Sequence, residues 1–402
     1  MRDLCFMAVR NVWRHPRRTL LTCATVTLGV AIMVIAEGFV DFTLQGLQQS
    51  VVYGGLGHVQ VLAEDEHPRA RLDEGLVLAL QRRLRSDARV GSFAARVGFE
   101  GLLSAAGGTL AVSGVGVEAA GESKIRSLLT MRSGEWFRGS ERMPSALVGY
   151  GLARRLGIQT RDLVSVIAYS DSGRMTAADV RVAGIFESGV IEYDARTILV
   201  PLHAAQRLME TQRVSSLVAT VRQSHDAQPL AEYLSAVVRA GGDGARVLTW
   251  RDLSPVYGSV VALYRWILRA FLGVLAVAVV LGVANTMMMA VLERIVEVGI
   301  LRAIGFGRVR VVALFLLEAL LIGVLGSVGG VVLGISASRL LTWWAIEMPP
   351  PPGRSQGYLL EVSVAESALL ASVGGAVLSA LLAGFLPSLR AIRGEVSDAL
   401  RG

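Results

Sequence analysis

Hydrophobic and polar positions alternate along this 402-residue chain in long blocks. Four stretches carry no charged side chain for long enough to cross a hydrocarbon core about 30 Å thick at about 1.5 Å of helical rise per residue. They are Thr19 to Ala36, Phe271 to Val291, Ala319 to Ser338 and Ser367 to Leu389, the third beginning near Val311 if it carries Glu318 inside the membrane. Between the first and second blocks the pattern changes. His58 to Ala63 alternates as a half-buried strand does, and Asp73 to Ser86 reads as an amphipathic helix with acidic residues in its first turn. Leu163 to Phe186 holds two strand-like runs around Asp171, Ser172 and Gly173, a hairpin or a longer loop. The first span continues outward through Gly38 to Val52. The second begins early, with Ser254 as N-cap and Pro255 at the first helical position, so two helices form a stalk.

The pattern predicts an α-helical membrane protein with four transmembrane helices and a large α+β extracytoplasmic domain inserted between the first two. Its segments are an N-terminal arm (1–18), a first span (19–40), the domain with its stalk (41–253), stalk and second span (254–292), a charged segment (293–310), a third span (311–338), an outer loop (339–363), a fourth span (364–389) and a C-terminal arm (390–402).

Composition agrees: 52% of residues are hydrophobic and 18% charged, and the mean hydropathy is +0.51. The net charge of +7 follows from topology rather than from nucleic-acid binding, since no basic patch is interleaved with aromatics. Arg2, Arg10, Arg14, Arg17 and Arg18 precede span one. Arg294, Arg302, Arg308 and Arg310 lie between spans two and three, and Arg390, Arg393 and Arg401 follow span four. With four spans all three groups fall on one side, which places both termini and the charged segment in the cytoplasm; Arg265 and Arg269 border the large domain, where the rule is weak. A secretory signal does not fit, because the first apolar run is long and is followed by no small-x-small cleavage site. Cys5 and Cys23 are the only cysteines, one in the arm and one in span one, so the outer domain has no disulfide available. Trp343 and Trp344 suit a membrane interface, and Pro349 to Pro352 predict a stiff polyproline segment.

No catalytic constellation assembles from the chain. The histidines are scattered, with no metal-ligand spacing. Lys124 is the only lysine and lies outside any glycine-rich phosphate loop, so ATP hydrolysis coupled to this chain must belong to another polypeptide. Two polar residues, Asn285 and Glu318, fall within spans at comparable depth and predict an interhelical hydrogen bond that orients two helices. Small residues recur every fourth position at Gly326, Gly330, Gly334 and Ser338, and at Ala371, Gly375, Ser379 and Ala383. These stripes predict close packing of spans three and four on one another, within the chain or across a dimer.

The segment Glu293 to Arg310, "ERIVEVGILRAIGFGRVR", has no single clean polar face, and Gly299, Gly305 and Gly307 interrupt it. It reads as the end of span two, a short helix and a glycine turn, with Ile300, Leu301 and Ile304 covered by something other than water. With the following "VVALFLLEALLIGVLGSVGG" it resembles the signature of FtsX-like permeases of ABC transporters, in which Glu-Arg and Glu-x-Gly-x-Leu-Arg-Ala-x-Gly precede a span with an acidic residue and then glycines. The resemblance extends over the chain, with a MacB-like outer domain. "GLGHVQVLAEDE" and the overall length look most like the lipoprotein-release permeases of the LolC/LolE type.

That resemblance implies a multi-pass protein of the bacterial inner membrane that is not itself an enzyme and binds no cofactor directly. A partner ATPase would use ATP and magnesium. The implied partners are a cytoplasmic ATPase dimer, a second permease chain of the same or another kind, a periplasmic carrier or adaptor, and membrane lipids. The implied coupling residues are Glu293, Arg294, Glu297 and Arg302, alongside Ile300, Leu301 and Ile304. The implied work is release of lipoproteins or similar amphiphiles at the outer face of the membrane. Export of peptides or antibiotics in the manner of MacB, and regulation of cell-wall hydrolases in the manner of FtsX, are the alternatives.

Overall fold

The computed structural model describes residues 2–14, 16–64, 70–137, 143–241, 244–349, 355, 357–362, 364 and 366–393. Along the chain, α1 (Arg2–Arg14) and α2 (Pro16–Val51) lead through a π-helical turn at Val52–Leu56 into β1 (Val59–Ala63). There follow α3 (Glu74–Ser86), the long strands β2 (Val90–Ala105) and β3 (Gly108–Val117), α4 (Ala119–Ile125), β4 (Thr130–Gly134), β5 (Ser145–Gly149), α5 (Tyr150–Leu156), β6 (Leu163–Tyr169) and β7 (Met175–Glu187). Then come α6 (Ile191–Asp194), β8 (Thr197–Pro201), α7 (Leu202–Met209), β9 (Ser216–Val221), α8 (Ala227–Ala240), β10 (Ala245–Thr249) and α9 (Trp250–Leu253). The chain ends with α10 (Pro255–Glu293), α11 (Ile295–Ala303), α12 (Arg308–Trp343) and α13 (Glu366–Arg393).

These elements form two units. One is helical and comprises Met1–Leu44, Val260–Glu347 and Leu359–Gly402; the other comprises Gln45–Ser259 and Met348–Tyr358. In the helical unit α2, α10, α12 and α13 are each long and apolar enough to cross a membrane. Proline at position 16 opens α2 without losing a hydrogen bond, because the first turn of a helix has no acceptor for that amide. The core of the unit gathers Val26, Val30 and Val34 of α2 with Val279, Val283 and Met287 of α10, Ala319 and Ile322 of α12, and Ala376 and Ala383 of α13.

The glycine stripe of α12 does not meet α13. A Cβ added at Gly326 would stand 2.6 Å from the Cβ of Val26, and one at Gly330 would stand 2.5 Å from that of Val30; at Gly334 the neighbour is Val34. Branched side chains every fourth residue of α2 thus fill the hollows left by glycines every fourth residue of α12, and Thr27 Oγ1 donates to the Gly326 carbonyl at 3.0 Å. The α12–α13 contact lies elsewhere on α12: Gly323 faces Ala380, and Gly384 of α13 faces Ala319. Gly375 has nothing near its vacant Cβ position, and Ser379 is buried beside a cavity of about 10 Å³ that it and Gly375 line with residues of α2 and α10. Four-residue spacing announces close approach but does not name the partner; the matching spacing of valines on α2 does.

The second unit is built on a ten-stranded mixed sheet in the order β10-β1-β9-β2-β3-β8-β5-β7-β4, with β6 pairing β2 and β7. Most neighbours are antiparallel, but β3 with β8 and β5 with β7 run parallel. Asp73 caps α3 by accepting from the Leu76 amide, and the apolar side of that helix, Val77, Leu80 and Leu84, joins Leu230 and Leu234 of α8 in the main core. β1 is not half-buried. It lies between β10 and β9, and its intervening polar residue Gln60 is also covered, donating to the Leu56 carbonyl at 2.7 Å. β6 and β7 form the antiparallel hairpin expected around Asp171. Its turn is tied down: Arg71 reaches both carboxylate oxygens of Asp171, and Ser172 and Arg174 bond Glu210. Residues 350–352 of the expected polyproline segment lie outside the described residues, while Trp343 and Trp344 are exposed at the end of α12.

Candidate functional site

The charged segment becomes a bent helical connection. α10 stops at Glu293 because Arg294 leaves helical geometry (φ −114°, ψ 18°), and α11 runs only from Ile295 to Ala303. Gly305 then turns the chain at φ +100°, a conformation that favours glycine, and α12 starts after Gly307.

The bend aims Arg294 inward. Its Nη1 donates to Glu318 Oε1 at 3.2 Å and its Nη2 to the Asn11 carbonyl at 3.3 Å, while Asn11 Nδ2 donates to the same Glu318 oxygen at 2.6 Å. Both charged side chains are only 6% exposed. A buried carboxylate is strongly disfavoured unless paired and hydrogen-bonded, and Glu318 has both compensations. Two further pairs flank this centre: Arg14 meets Glu297 at 2.8 Å, and Arg18 meets Glu293 at 2.6 Å. A cavity of about 680 Å³ opens among α1, α11 and α12, with Arg10, Trp13, Leu314 and Phe315 in its walls.

The sequence-derived set therefore divides in two. Arg294 is buried and engaged within the chain, so it is not a surface contact, whereas Glu293 and Glu297 are about half exposed and paired to the N-terminal arm. Ile300 (46% exposed) and Ile304 (77%) face outward, Arg302 is partly buried, and the side chain of Leu301 lies outside the described residues. Asn285 does not join Glu318; it lies exposed on α10, because the residue that does reach Glu318 comes from α1. Sequence reasoning missed α1, reading residues 1–18 only as a basic arm. The signal was present in Leu4, Ala8 and Val12 at four-residue spacing, of which Ala8 and Val12 are buried.

A second polar cluster lies in the other unit. Glu122 of α4 is fully buried between Arg96 of β2 and Arg126. Burial alone would raise its pKa, but the two guanidiniums hold it below the ordinary carboxylate value. Arg126 Nη1 also donates to the Gly54 carbonyl at 3.1 Å and to the Tyr193 hydroxyl at 2.5 Å, fastening the π-helical turn to the sheet. Gly55, at φ +141°, leaves room for that guanidinium; a Cβ there would lie 2.4 Å from Nη1. Nearby, His58 is buried, accepts at Nδ1 from the Val221 amide at 3.3 Å, and is pushed by burial down to a pKa of about 4. No group of three or more metal-ligating side chains occurs among the described residues.

Comparison with known proteins places these features. The family model for the FtsX-like permease C-terminal region matches residues 269–396, and that for the MacB-like periplasmic core domain matches residues 19–237. An uncharacterized ABC transporter permease of Methanocaldococcus jannaschii is 25% identical over 281 residues, 68% of this chain and 65% of its own length. The lipoprotein-releasing system transmembrane protein LolC of Neisseria meningitidis is 24% identical over 272 residues, 63% of this chain and 64% of its own. The macrolide export ATP-binding/permease protein MacB of Bdellovibrio bacteriovorus is 24% identical over 268 residues, 64% of this chain and 38% of its own. Each match spans less than two thirds of the relative's own length.

Proposed function

Because the chain belongs to the ABC transporter permeases that combine a MacB-like periplasmic core domain with an FtsX-like C-terminal region, we propose that it transmits force from a separate cytoplasmic ATPase to the outer domain, for release of lipoproteins or similar amphiphiles at the outer face of the membrane. The observation that carries this reading is the split character of α11. Its inner side is held through Arg294, Glu318 and Asn11 to α12 and α1, and its outer side offers Ile300 and Ile304 uncovered. A docked ATPase that pushes on those isoleucines moves α11, and the Arg294–Glu318–Asn11 contacts link that motion to α12 and α1.

Mechanical transmission also fits the apolar interior of the helical unit. The cavity among α2, α10 and α13 measures about 10 Å³, room for one water at most. Substrate is handled outside the bilayer. Similarity to a lipoprotein-releasing protein supports the amphiphile as cargo, and similarity to a macrolide exporter supplies the competing outcome. ATP and magnesium belong to the ATPase, and the chain itself performs no chemistry.

The test is Ile304→Asp in the full chain, with purification from membranes and identification of bound proteins and lipids. The variant should insert normally and lose the ATPase. Retention of both ATPase and release activity would reject the coupling role; a wild-type preparation that releases macrolides but no lipoprotein would replace the proposed cargo.

A further inference from the structure

α1 carries two apolar sides, and the described residues cover only one of them. Ala8 and Val12 are buried within the helical unit. Phe6 (69% exposed), Val9 (46%) and Trp13 (76%) stand bare on another side of the same helix. An α-helix turns about 100° per residue, so these three fall within about 60° of one another, with Arg10 about 40° and Arg14 about 80° round from Phe6. Asn11 follows at about 140°, and it is Asn11 that bonds Glu318. Going round α1, an apolar side gives way to two guanidiniums and then to the buried charge network.

Lipid is the neighbour this arrangement meets. α2 starts at Pro16, just after α1 ends at Arg14, and already exposes Leu20 and Leu21, so α1 lies at the level where the hydrocarbon begins. A helix that sets arginine beside Phe and Trp at that level lies in the membrane interface. The cavity of about 680 Å³ opens beside it, with Phe6 and Trp13 in one wall and the buried Val298, Leu314 and Phe315 in another. That volume falls in the range of roughly 300–1,000 Å³ that ligand pockets occupy. Its charges do not cancel: Arg10, Arg14 and Arg294 stand against Glu297 and Glu318. Arg294 is paired with Glu318 and Arg14 with Glu297. Arg10 has neither a hydrogen bond nor an ion pair among the described residues.

We propose that this cavity holds one anionic phospholipid from the leaflet on the N-terminal arm's side of the membrane, its phosphate on Arg10 and its glycerol and upper chains against Phe6 and Trp13. A phosphodiester carries a single negative charge and accepts two hydrogen bonds from one guanidinium, which balances the one cation left unpaired. Basic pockets beside membrane helices take anionic headgroups for this reason. A zwitterionic headgroup brings an ammonium as well, and both carboxylates of the lining are already engaged. A free phosphate would leave the aromatic wall unused. The bound lipid joins α1 to α11 alongside the Arg14–Glu297 pair, so the charged segment senses the composition of the leaflet. The site rests on the membrane reading and stands whether or not α11 receives an ATPase.

The experiment titrates the full chain in detergent with phosphatidylglycerol, phosphatidylcholine or glycerol phosphate and counts the bound molecules by native mass spectrometry. The unaltered chain should retain one phosphatidylglycerol in clear preference to phosphatidylcholine, and no glycerol phosphate. Arg10→Gln should weaken phosphatidylglycerol about tenfold, the weight of a hydrogen bond between charged groups, and remove the preference. Arg10→Lys should keep part of it. Arg17→Gln, exposed but outside the cavity lining, should bind as the unaltered chain does. Met7→Trp, which fills the cavity from a half-buried position, should expel the lipid with Arg10 intact. Thermal unfolding of each variant shows that it is folded. Equal retention of the two lipids, an Arg10→Gln or Met7→Trp chain that binds as before, an equal loss in Arg17→Gln, or displacement of the lipid by glycerol phosphate would each overturn the proposal. Ile304→Asp should bind phosphatidylglycerol normally, so failure of ATPase docking and failure of lipid binding are read separately.

Discussion

At the scale of single residues, the chain concentrates its buried charge where helices or strands must be joined. Glu318 was legible in the sequence as an acid inside a span, but its partners were not, because Arg294 lies 24 positions away and Asn11 lies 307 away. Arg294→Ala strands the carboxylate and should destabilise the folded chain by about 3–5 kcal/mol, whereas replacing both partners by apolar residues of similar volume should recover most of that loss. Thermal unfolding in detergent of the two singles and the double measures the coupling. His58 gives a pH dependence of definite sign. The unfolded chain takes up a proton below the ordinary pKa of about 6.5, and the folded chain resists it until about 4. Stability is therefore fully present above about 6.5, falls as pH drops through that window, and levels out below it. The Glu122 carboxylate, held below its ordinary value, adds its own loss only at lower pH. His58→Gln should flatten the upper window in chemical unfolding followed by tryptophan fluorescence; an unchanged profile would remove His58 as its cause.

At the scale of elements, the four spans, the hairpin at Asp171 and the capped helix α3 were readable because each obeys a local rule of period, capping or turn chemistry. Partner choice was not. The α12 glycines were assigned to α13, and they pack against α2, since a hollow in one helix says nothing about which neighbour has the matching knob until valines at 26, 30 and 34 are read with it. α1 escaped for a related reason: its inward apolar side is short, and exposed Phe6 and Trp13 blur the pattern. The packing predicts opposite results at two glycines of equal sequence appearance. Gly330→Val must displace Val30 and the Thr27 carbonyl, both under 3 Å from the vacant position, and overpacking of this kind costs typically 1–3 kcal/mol. Gly375→Ala meets nothing within 4 Å and should be neutral or gain the few tenths to about 1 kcal/mol by which alanine exceeds glycine in a helix. Melting temperatures in one detergent compare them directly. Similar losses at both positions would contradict the α2–α12 assignment.

At the scale of the whole molecule, the chain passes between its two units four times, at 44/45, 259/260, 347/348 and 358/359. Those crossings are the covalent routes from the helical unit to the other, and each has its own anchor on the outer side. The first crossing runs through α2 into the π-helical turn, and there Arg126 ties the Gly54 carbonyl to Tyr193 and to Glu122. The third and fourth bracket a loop whose Ser355 donates to Glu187 and to the Gly189 carbonyl. Neither anchor was foreseeable from sequence, because each joins a backbone group or a short polar side chain to a residue far along the chain. Arg126→Ala should release the turn. Hydrogen bonds from charged groups contribute about 1.5–3 kcal/mol each, so the amides of Val52 to Gly57 should exchange roughly 10- to 100-fold faster. Those of β9, bonded within the sheet, should change little. In membranes holding the ATPase, the same variant should still hydrolyse ATP but lose release activity, since α11 is untouched while the outer end of α2 no longer pulls on the sheet. Unchanged exchange at Val52 to Gly57, or full release activity alongside faster exchange, would show that force reaches the outer domain by another crossing.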